Sequence, residues 1–308
     1  MRLSSAIRGA AWGAVAIGVA APITRRRRRL PKAAVAVAAF IAPVAVCVAM
    51  PRSRKRDVAV CVLNMWAYLA MYEMPHDDPD ALHRRVRVRY PVAIDRVLGL
   101  GELPGVRLQR ALARVDDVGP LDLALTWIHW VWFFVPHSAV LYVLLRDRDS
   151  FPRAAVLTYA VFDTGVLAYW VVPTAPPWYA AREGVLGGDP ALRRLMVEQG
   201  ERFWRERWDG LYSVLGGNPL AAMPSLHFAT SVMAALVLSD AGPVEGVVGW
   251  TYALSLGFAL VYLGEHYVVD LVAGLGLTFG VRCLAPHAGP ALRAISRPVA
   301  ALEARARA

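Results

Sequence analysis

Long apolar runs separated by short polar or arginine-rich stretches organise this chain. Residues 121–145, 154–173, 221–239, 246–264 and 267–285 each suffice, at about 1.5 Å per helical residue, to cross a hydrocarbon core about 30 Å thick. Residues 57–73 form a shorter sixth run, and 6–24 and 32–50 are Ala/Val-rich runs upstream. In lipid the backbone must satisfy its own hydrogen bonds, and these runs are too long and continuous for barrel strands. The pattern predicts an all-α polytopic membrane helical bundle: a six-helix core, an N-terminal hydrophobic appendage and external amphipathic helices. The boundaries that follow are a hydrophobic and basic appendage over 1–56, a membrane domain over 57–285 and a C-terminal cytoplasmic tail over 286–308.

Polar residues between the runs set the expected topology. The loop "RDRDSFPR" (146–153) is short and basic, which places it in the cytoplasm. The chain then runs outward through 154–173, leaves 174–220 outside, returns through 221–239 and turns at "SDAGPVEG" (239–246). The next crossing brings His266 out on the face where His227 began its helix. Upstream, 121–145 runs inward, 74–120 is external and "RSRKR" (52–56) is cytoplasmic. "RRRRR" (25–29) conflicts with this scheme. Either 32–50 is re-entrant or interfacial, broken at Pro43, or one arginine block lies outside.

The external segment 189–212 reads as an amphipathic helix. Asp189-Pro190 suits a cap and first turn. After it Leu192, Leu195, Met196, Phe203, Trp204, Trp208 and Leu211 recur at roughly helical spacing among Arg193, Arg194, Arg202, Arg205 and Arg207. It is either an interfacial helix or a lid over a cleft.

Composition sharpens this reading. At 57% hydrophobic residues the chain is no soluble basic protein, although its net charge is +10. The basic residues are nearly all arginines at the ends of apolar runs, including the "HRRVRVRY" cluster (83–90), which points to anionic lipid headgroups and not to nucleic acid. Cys47, Cys61 and Cys283 are scattered in apolar segments with no metal-ligand spacing, so neither a metal site nor a disulfide framework is expected. No cofactor is implied. The arginine block follows the first apolar run, so no cleaved signal is expected.

Three short stretches carry chemistry. In "MPSLHFATS" (223–231) Pro224 suits the first position of a helix, whose free N–H groups make an anion site beside the Ser225 hydroxyl and His227. In "YLGEHYVVD" (262–270) His266 and Asp270 are four apart and share a helix face, so the carboxylate can fix the imidazole tautomer. In "PTAPPWYAAR" (173–182) three prolines stiffen a loop on the same face, with Trp178, Tyr179 and Arg182 at hand. Two histidines, one backed by Asp, around a helix-terminus anion site describe phosphoryl transfer through a phosphohistidine. His129, His137 and Asp163 lie within apolar runs, and a structural His129–Asp163 pair between neighbouring helices is the expectation for two of them.

"PTAPPWY", "MPSLH" and "HYVVD" together resemble the signature blocks of the type 2 phosphatidic acid phosphatase superfamily, in its inositol phosphorylceramide synthase-like branch. The resemblance covers roughly residues 57–285. It implies His266 as nucleophile, Asp270 as its orienting partner, His227 as the acid that protonates the leaving group and Ser225 as a phosphate ligand. Two departures stand out. The phosphatase pattern Lys-x6-Arg-Pro is replaced by "PTAPPW", and Ala259 and Leu260 stand where that pattern has Ser-Arg. This favours the synthase-like branch and leaves Arg182 and the external arginines as candidate phosphate cations.

The resulting expectation is a multi-pass cell-membrane enzyme acting on a lipid phosphate at the extracytoplasmic face, with an alcohol as acceptor and no metal. The alternatives are a phosphatase using water and, from another class, a lipid transporter. The helices lack the paired broken segments of a transporter's repeats.

Overall fold

With lipid or protein on every side, a helix is the element that leaves no backbone group unpaired, and every regular element among the described residues is a helix. The computed structural model describes residues 2–114, 117–187, 192–210 and 217–308. In chain order the first helices are α1 (Arg2–Arg28), α2 (Lys32–Ala49), α3 (Arg54–Glu73), α4 (Pro79–Arg85), α5 (Arg89–Leu98), α6 (Pro104–Leu112), α7 (Pro120–Trp130) and α8 (Phe134–Arg146). Then come α9 (Phe151–Val171), α10 (Pro177–Arg182), α11 (Leu195–Trp204), α12 (Leu226–Ala241), α13 (Pro243–Tyr262), α14 (Val268–Leu284) and α15 (Gly289–Arg307). Six of the described helical stretches are long and apolar enough to cross a membrane, and a seventh crossing results if one bent pair is a single span. The protein is a polytopic membrane bundle.

The chain divides into two compact units, residues 1–77 with 282–308, and residues 78–281. In the first, α2 is one unbroken helix through Pro43. Arg25, at the end of α1, is forked between Asp77 at 2.9 Å and Glu73 at 3.1 Å, at the far end of α3. At the near end of α3, Glu303 of α15 accepts from Arg56 at 2.8 Å and Arg52 at 3.2 Å. The two arginine blocks therefore sit at opposite ends of a helix of 20 residues, about 30 Å long. Between the two expected alternatives, the structure has the continuous α2 and separated blocks.

In the second unit, the run 121–145 is not one helix. It breaks after Trp130 and resumes at Phe134, with a bend of 52°. Pro136 explains the break: it has no N–H to offer the Trp132 carbonyl, and its ring would clash there. The run 221–239 also starts later than its hydropathy suggests. Ala222 N donates to Thr174 O at 3.1 Å, so 221–222 pair with the "PTAPPW" loop, and the helix begins at Leu226. Arg87 secures the other side of that loop, donating to Pro173 O at 2.8 Å and accepting from Ala175 N at 3.0 Å. The segment 189–212 is corrected as well. Asp189, Pro190 and Leu211 lie outside the described residues, and the helix runs only from Leu195 to Trp204, where Arg205 turns the chain with φ +50°. Its Leu195 and Met196, with Trp208 beyond it, bury against Leu125 of α7 and Tyr262 of α13.

Small residues let the site-bearing helices approach closely. Gly246, Gly249, Ala253 and Gly257 recur every three or four positions on α13, and a Cβ on Gly249 would lie 2.7 Å from the Ala235 backbone of α12. Lipid tails are as apolar as Leu, so such close packing, and not a hydrophobic drive, holds the pair together. A Cβ on Gly274 of α14 would lie 2.7 Å from the Ser225 carbonyl. One turn further on, Thr278 donates to Ala229 O at 2.9 Å.

Two buried polar residues fix the end of α13 and the start of α14. Asp95 of α5, buried on that helix's apolar face, accepts from Val268 N at 3.1 Å and Val269 N at 2.9 Å. Gln109 of α6 donates to Arg193 O and Tyr262 O, both at 2.8 Å, and accepts from Arg193 N at 2.9 Å.

Overpacking at Gly274 should cost about 1–3 kcal/mol. Gly274→Ala should therefore lower the thermal unfolding midpoint of the purified protein. Gly276→Ala, with nothing within 4 Å of the added carbon, should leave the midpoint unchanged or raise it. Equal shifts would mean that α14 does not bear on Ser225.

Asp95 predicts a pH dependence. Burial raises its carboxyl above the usual carboxylate range, against the lowering effect of the Val269 and Val268 N–H groups. A carboxyl raised on folding is preferred protonated by the folded state. Its contribution is full below the unfolded pKa of about 4 and is lost as pH rises through the folded value. Asp95→Asn keeps an acceptor without the charge, so its stability should gain on wild type as pH rises from about 4. Asp95→Ala should lose about 1–2 kcal/mol of capping throughout. Unfolding midpoints across pH test both.

Candidate active site

Sequence places His266 in the turn that joins α13 to α14. Gly264, at φ +79°, ends α13 in a left-handed turn: Glu265 N donates to Leu260 O at 3.1 Å and Gly264 N to Val261 O at 3.3 Å. A side chain there would also press on Arg193 O, 3.0 Å from where its Cβ would stand. The helix that follows starts at Val268, so His266 precedes the helix and does not share its face with Asp270 as the spacing alone suggested. The two still meet. Asp270 Oδ2 accepts from Tyr267 N at 2.9 Å, reaching back across the first turn, and from His266 Nδ1 at 3.2 Å. With Asp95 holding the next two N–H groups, carboxylates take three successive N–H groups at the start of this helix. Burial, with Asp270 and Asp95 close by, pushes the neighbouring Tyr267 phenol up, so it stays neutral.

With Nδ1–H directed at Asp270, the His266 Nε2 lone pair points the other way, where His227 Nδ1 lies at 3.1 Å. His227 stands in the first turn of α12. Ser225 is the N-cap of that helix, its hydroxyl accepting from Phe228 N at 3.3 Å and its N–H donating to Asp270 O at 3.0 Å. Pro224 therefore precedes the cap, in place of the first helical position expected for it, and its carbonyl accepts from the Tyr169 hydroxyl at 2.8 Å. Ser225, His266 and Asp270 are buried, Asp270 and Ser225 completely. Among the described residues no second side chain closes the α12 N-terminus as Asp95 closes that of α14, which leaves the Leu226 and His227 N–H groups for a bound anion.

Trp178, Tyr179 and Arg182 form a neighbouring group. The Arg182 guanidinium lies 4.7 Å from the Tyr179 ring centre and 5.6 Å from that of Trp178, and pairs with Glu183 at 3.3 Å. Arg194 is the arginine linked to the histidines: it lies 4.0 Å over Trp178 and pairs with Glu265, the residue before His266, at 2.9 Å. The "HRRVRVRY" cluster is also more than a headgroup contact, since its Tyr90 hydroxyl joins Thr174 at 2.8 Å and Met223 Sδ at 3.1 Å.

His129 does not pair with Asp163. Its ring lies 5.0 Å from that of His227, on the last turn of α7, and among the described residues no hydrogen bond joins it to Asp163. Trp132, in the α7–α8 break, packs at 4.2 Å on His227 and donates its indole N–H to Thr230 at 3.0 Å. His137 lies in a cage of Phe133, Tyr159 and Phe162. The sequence held a signal for His129 and Asp95 alike. His129 continues the buried stripe Asp122–Leu125–Thr126 of α7, and Asp95 is an acid three residues after buried Val92. Among the described residues no cluster of three or more His, Cys, Asp or Glu side chains is arranged to hold a metal ion.

The inositol phosphorylceramide synthase of Candida albicans is 27% identical over 229 residues, 71% of this chain and 46% of that protein. The inositol phosphorylceramide synthase catalytic subunit of Schizosaccharomyces pombe is 32% identical over 247 residues, 76% of this chain and 54% of its own length. The phosphoinositol dihydroceramide synthase of Bacteroides thetaiotaomicron is 29% identical over 138 residues, 42% of this chain and 44% of that protein. The chain spans about half the length of these curated relatives. No solved structure matches it significantly. The PAP2 superfamily matches residues 92–284, a span that holds both histidines and both capping carboxylates, and the chain belongs to that superfamily.

Proposed function

We propose that this protein is a lipid-phosphate phosphotransferase, similar to the inositol phosphorylceramide synthases, that works through a phosphohistidine on the extracytoplasmic face. The observation that carries the reading is the row Asp270–His266–His227, joined at 3.2 and 3.1 Å. Asp270 orients His266 so that Nε2 is the free nucleophile. A substrate phosphate enters between the two rings, its oxygens on the α12 N-terminus and Ser225. His266 Nε2 bonds to phosphorus as the bond to the lipid alkoxide breaks, and protonated His227 delivers its proton to that oxygen. His227, now neutral, takes the proton of an acceptor hydroxyl as its oxygen attacks phosphorus and the P–N bond breaks, which returns both histidines to their starting states. The short basic loop 146–153 supports the outward sidedness.

If so, His266→Ala should abolish both turnover and any acid-labile phosphoprotein formed from labelled lipid phosphate. Substantial remaining activity would overturn the mechanism. Asp270→Asn should fold and lose about 10⁴-fold in rate, the scale of a tautomer error in a Ser-His-Asp triad.

The acceptor is decided by position. A hydroxyl held in line at near-attack distance has an effective molarity of about 10⁵–10⁸ M, far above bulk water. Trp178 and Tyr179 make a pocket wall, and the helix over 195–204 makes the cover. Candidate alcohols at millimolar concentration should divert product from free phosphate to phosphodiester. Fast phosphate release that no alcohol diverts would make the chain a phosphatase.

A further inference from the structure

The histidine row has a third ring. His129 also packs against His227, with ring centres 5.0 Å apart, and its Nδ1 is buried without a hydrogen-bond partner. A buried ring nitrogen left unpaired is costly and uncommon in native proteins, so the working enzyme is expected to pair it. The surroundings narrow the partner. Charged and titratable groups near His129 include Arg194, Glu265 and the His227 and His266 imidazoles. Arg194 and Glu265 are joined at 2.9 Å and largely cancel. That pair therefore adds little net positive field, and beyond the His227 imidazolium an arriving phosphate must be held by hydrogen-bond donors. The α12 N-terminus supplies some, and the next ring along the row carries a nitrogen with nothing to donate to.

We propose that His129 is a substrate-binding residue whose Nδ1–H donates to a non-bridging oxygen of the substrate phosphate. The proposal rests on the reading of the row as a phosphoryl-transfer site, and it concerns binding alone. His129 forms no covalent bond and releases no proton. His137 is the internal comparison. Both its ring nitrogens also lack partners, but three aromatic side chains surround it.

The probe is orthovanadate, a mimic of the pentacoordinate phosphoryl state, titrated calorimetrically into the full chain in detergent. Removing one hydrogen bond to a charged group, as in His129→Phe, should weaken binding about 10- to 100-fold. His129→Asn places an amide near the Nδ1 position and should recover much of the loss. His129→Gln, whose amide reaches the Nε2 position, should recover less, and His137→Phe should bind as wild type does. In turnover the His129→Phe loss should appear chiefly in KM. The proposal is overturned if His129→Phe binds orthovanadate within about twofold of wild type, or if Asn does no better than Gln. Should the Phe variant not fold, the Asn–Gln contrast alone decides. If wild type itself binds no orthovanadate, the phosphate site and this proposal fall together. If His266→Ala keeps its turnover while the His129 series behaves as stated, the phosphohistidine step fails and the binding role stands.

Discussion

Two buried carboxylates share the first turn of α14, and the geometry of the candidate site depends on them. Asp270 takes the Tyr267 N–H and the His266 imidazole, while Asp95 takes the Val268 and Val269 N–H groups. Each peptide group left unpaired there would carry a large desolvation cost, so the start of α14 has no low-energy alternative. The position of His266 follows, and through Nε2 that of His227. A surface helix, α5, thus supplies part of the frame of the turn that carries His266, and Gln109 of α6 does the same for the end of α13.

Ion pairs contribute less to this frame than their number suggests. Arg110–Glu102 and Arg202–Asp117 are exposed, and pairs of that kind contribute about 0–1 kcal/mol. The Glu303 cluster is more buried, and removing one partner would leave an uncompensated charge, yet its net worth against an apolar equivalent is small. Close approach at Gly249, Gly257 and Gly274 has more consequence, because it sets helix separation to within a methyl group.

Much of this was legible in the sequence. Hydropathy located the apolar helices, although α12, at 16 residues, is shorter than the run 221–239 suggested, and the spacing of His227, His266 and Asp270 identified residues that do meet. The failures have specific causes. A hydropathy window adds up residues 121–145 without registering that Pro136 withholds one N–H from Trp132. The start of α14 lies after His266 because its caps come from Asp95, 173 positions earlier, beyond any local pattern. His129 and Asp163 were matched by depth, but depth says nothing of rotation about a helix axis, and rotation turns His129 toward His227. Arg182 was chosen for its place beside the proline loop, and stacking on Tyr179 holds it there.

The pairing of Arg25 bears on how the chain is made. Its counter-charges, Glu73 and Asp77, lie 48 and 52 positions downstream. During synthesis the arginine block emerges with no carboxylate to meet it, and two apolar helices follow before one is available. Its charge acts at full strength on the insertion machinery first and is masked only when α3 is complete. A count of positive charges on the finished protein is thus not the count the translocon meets, and the resting place of α1 is fixed late, by a segment that has not yet been translated when α1 first enters the bilayer.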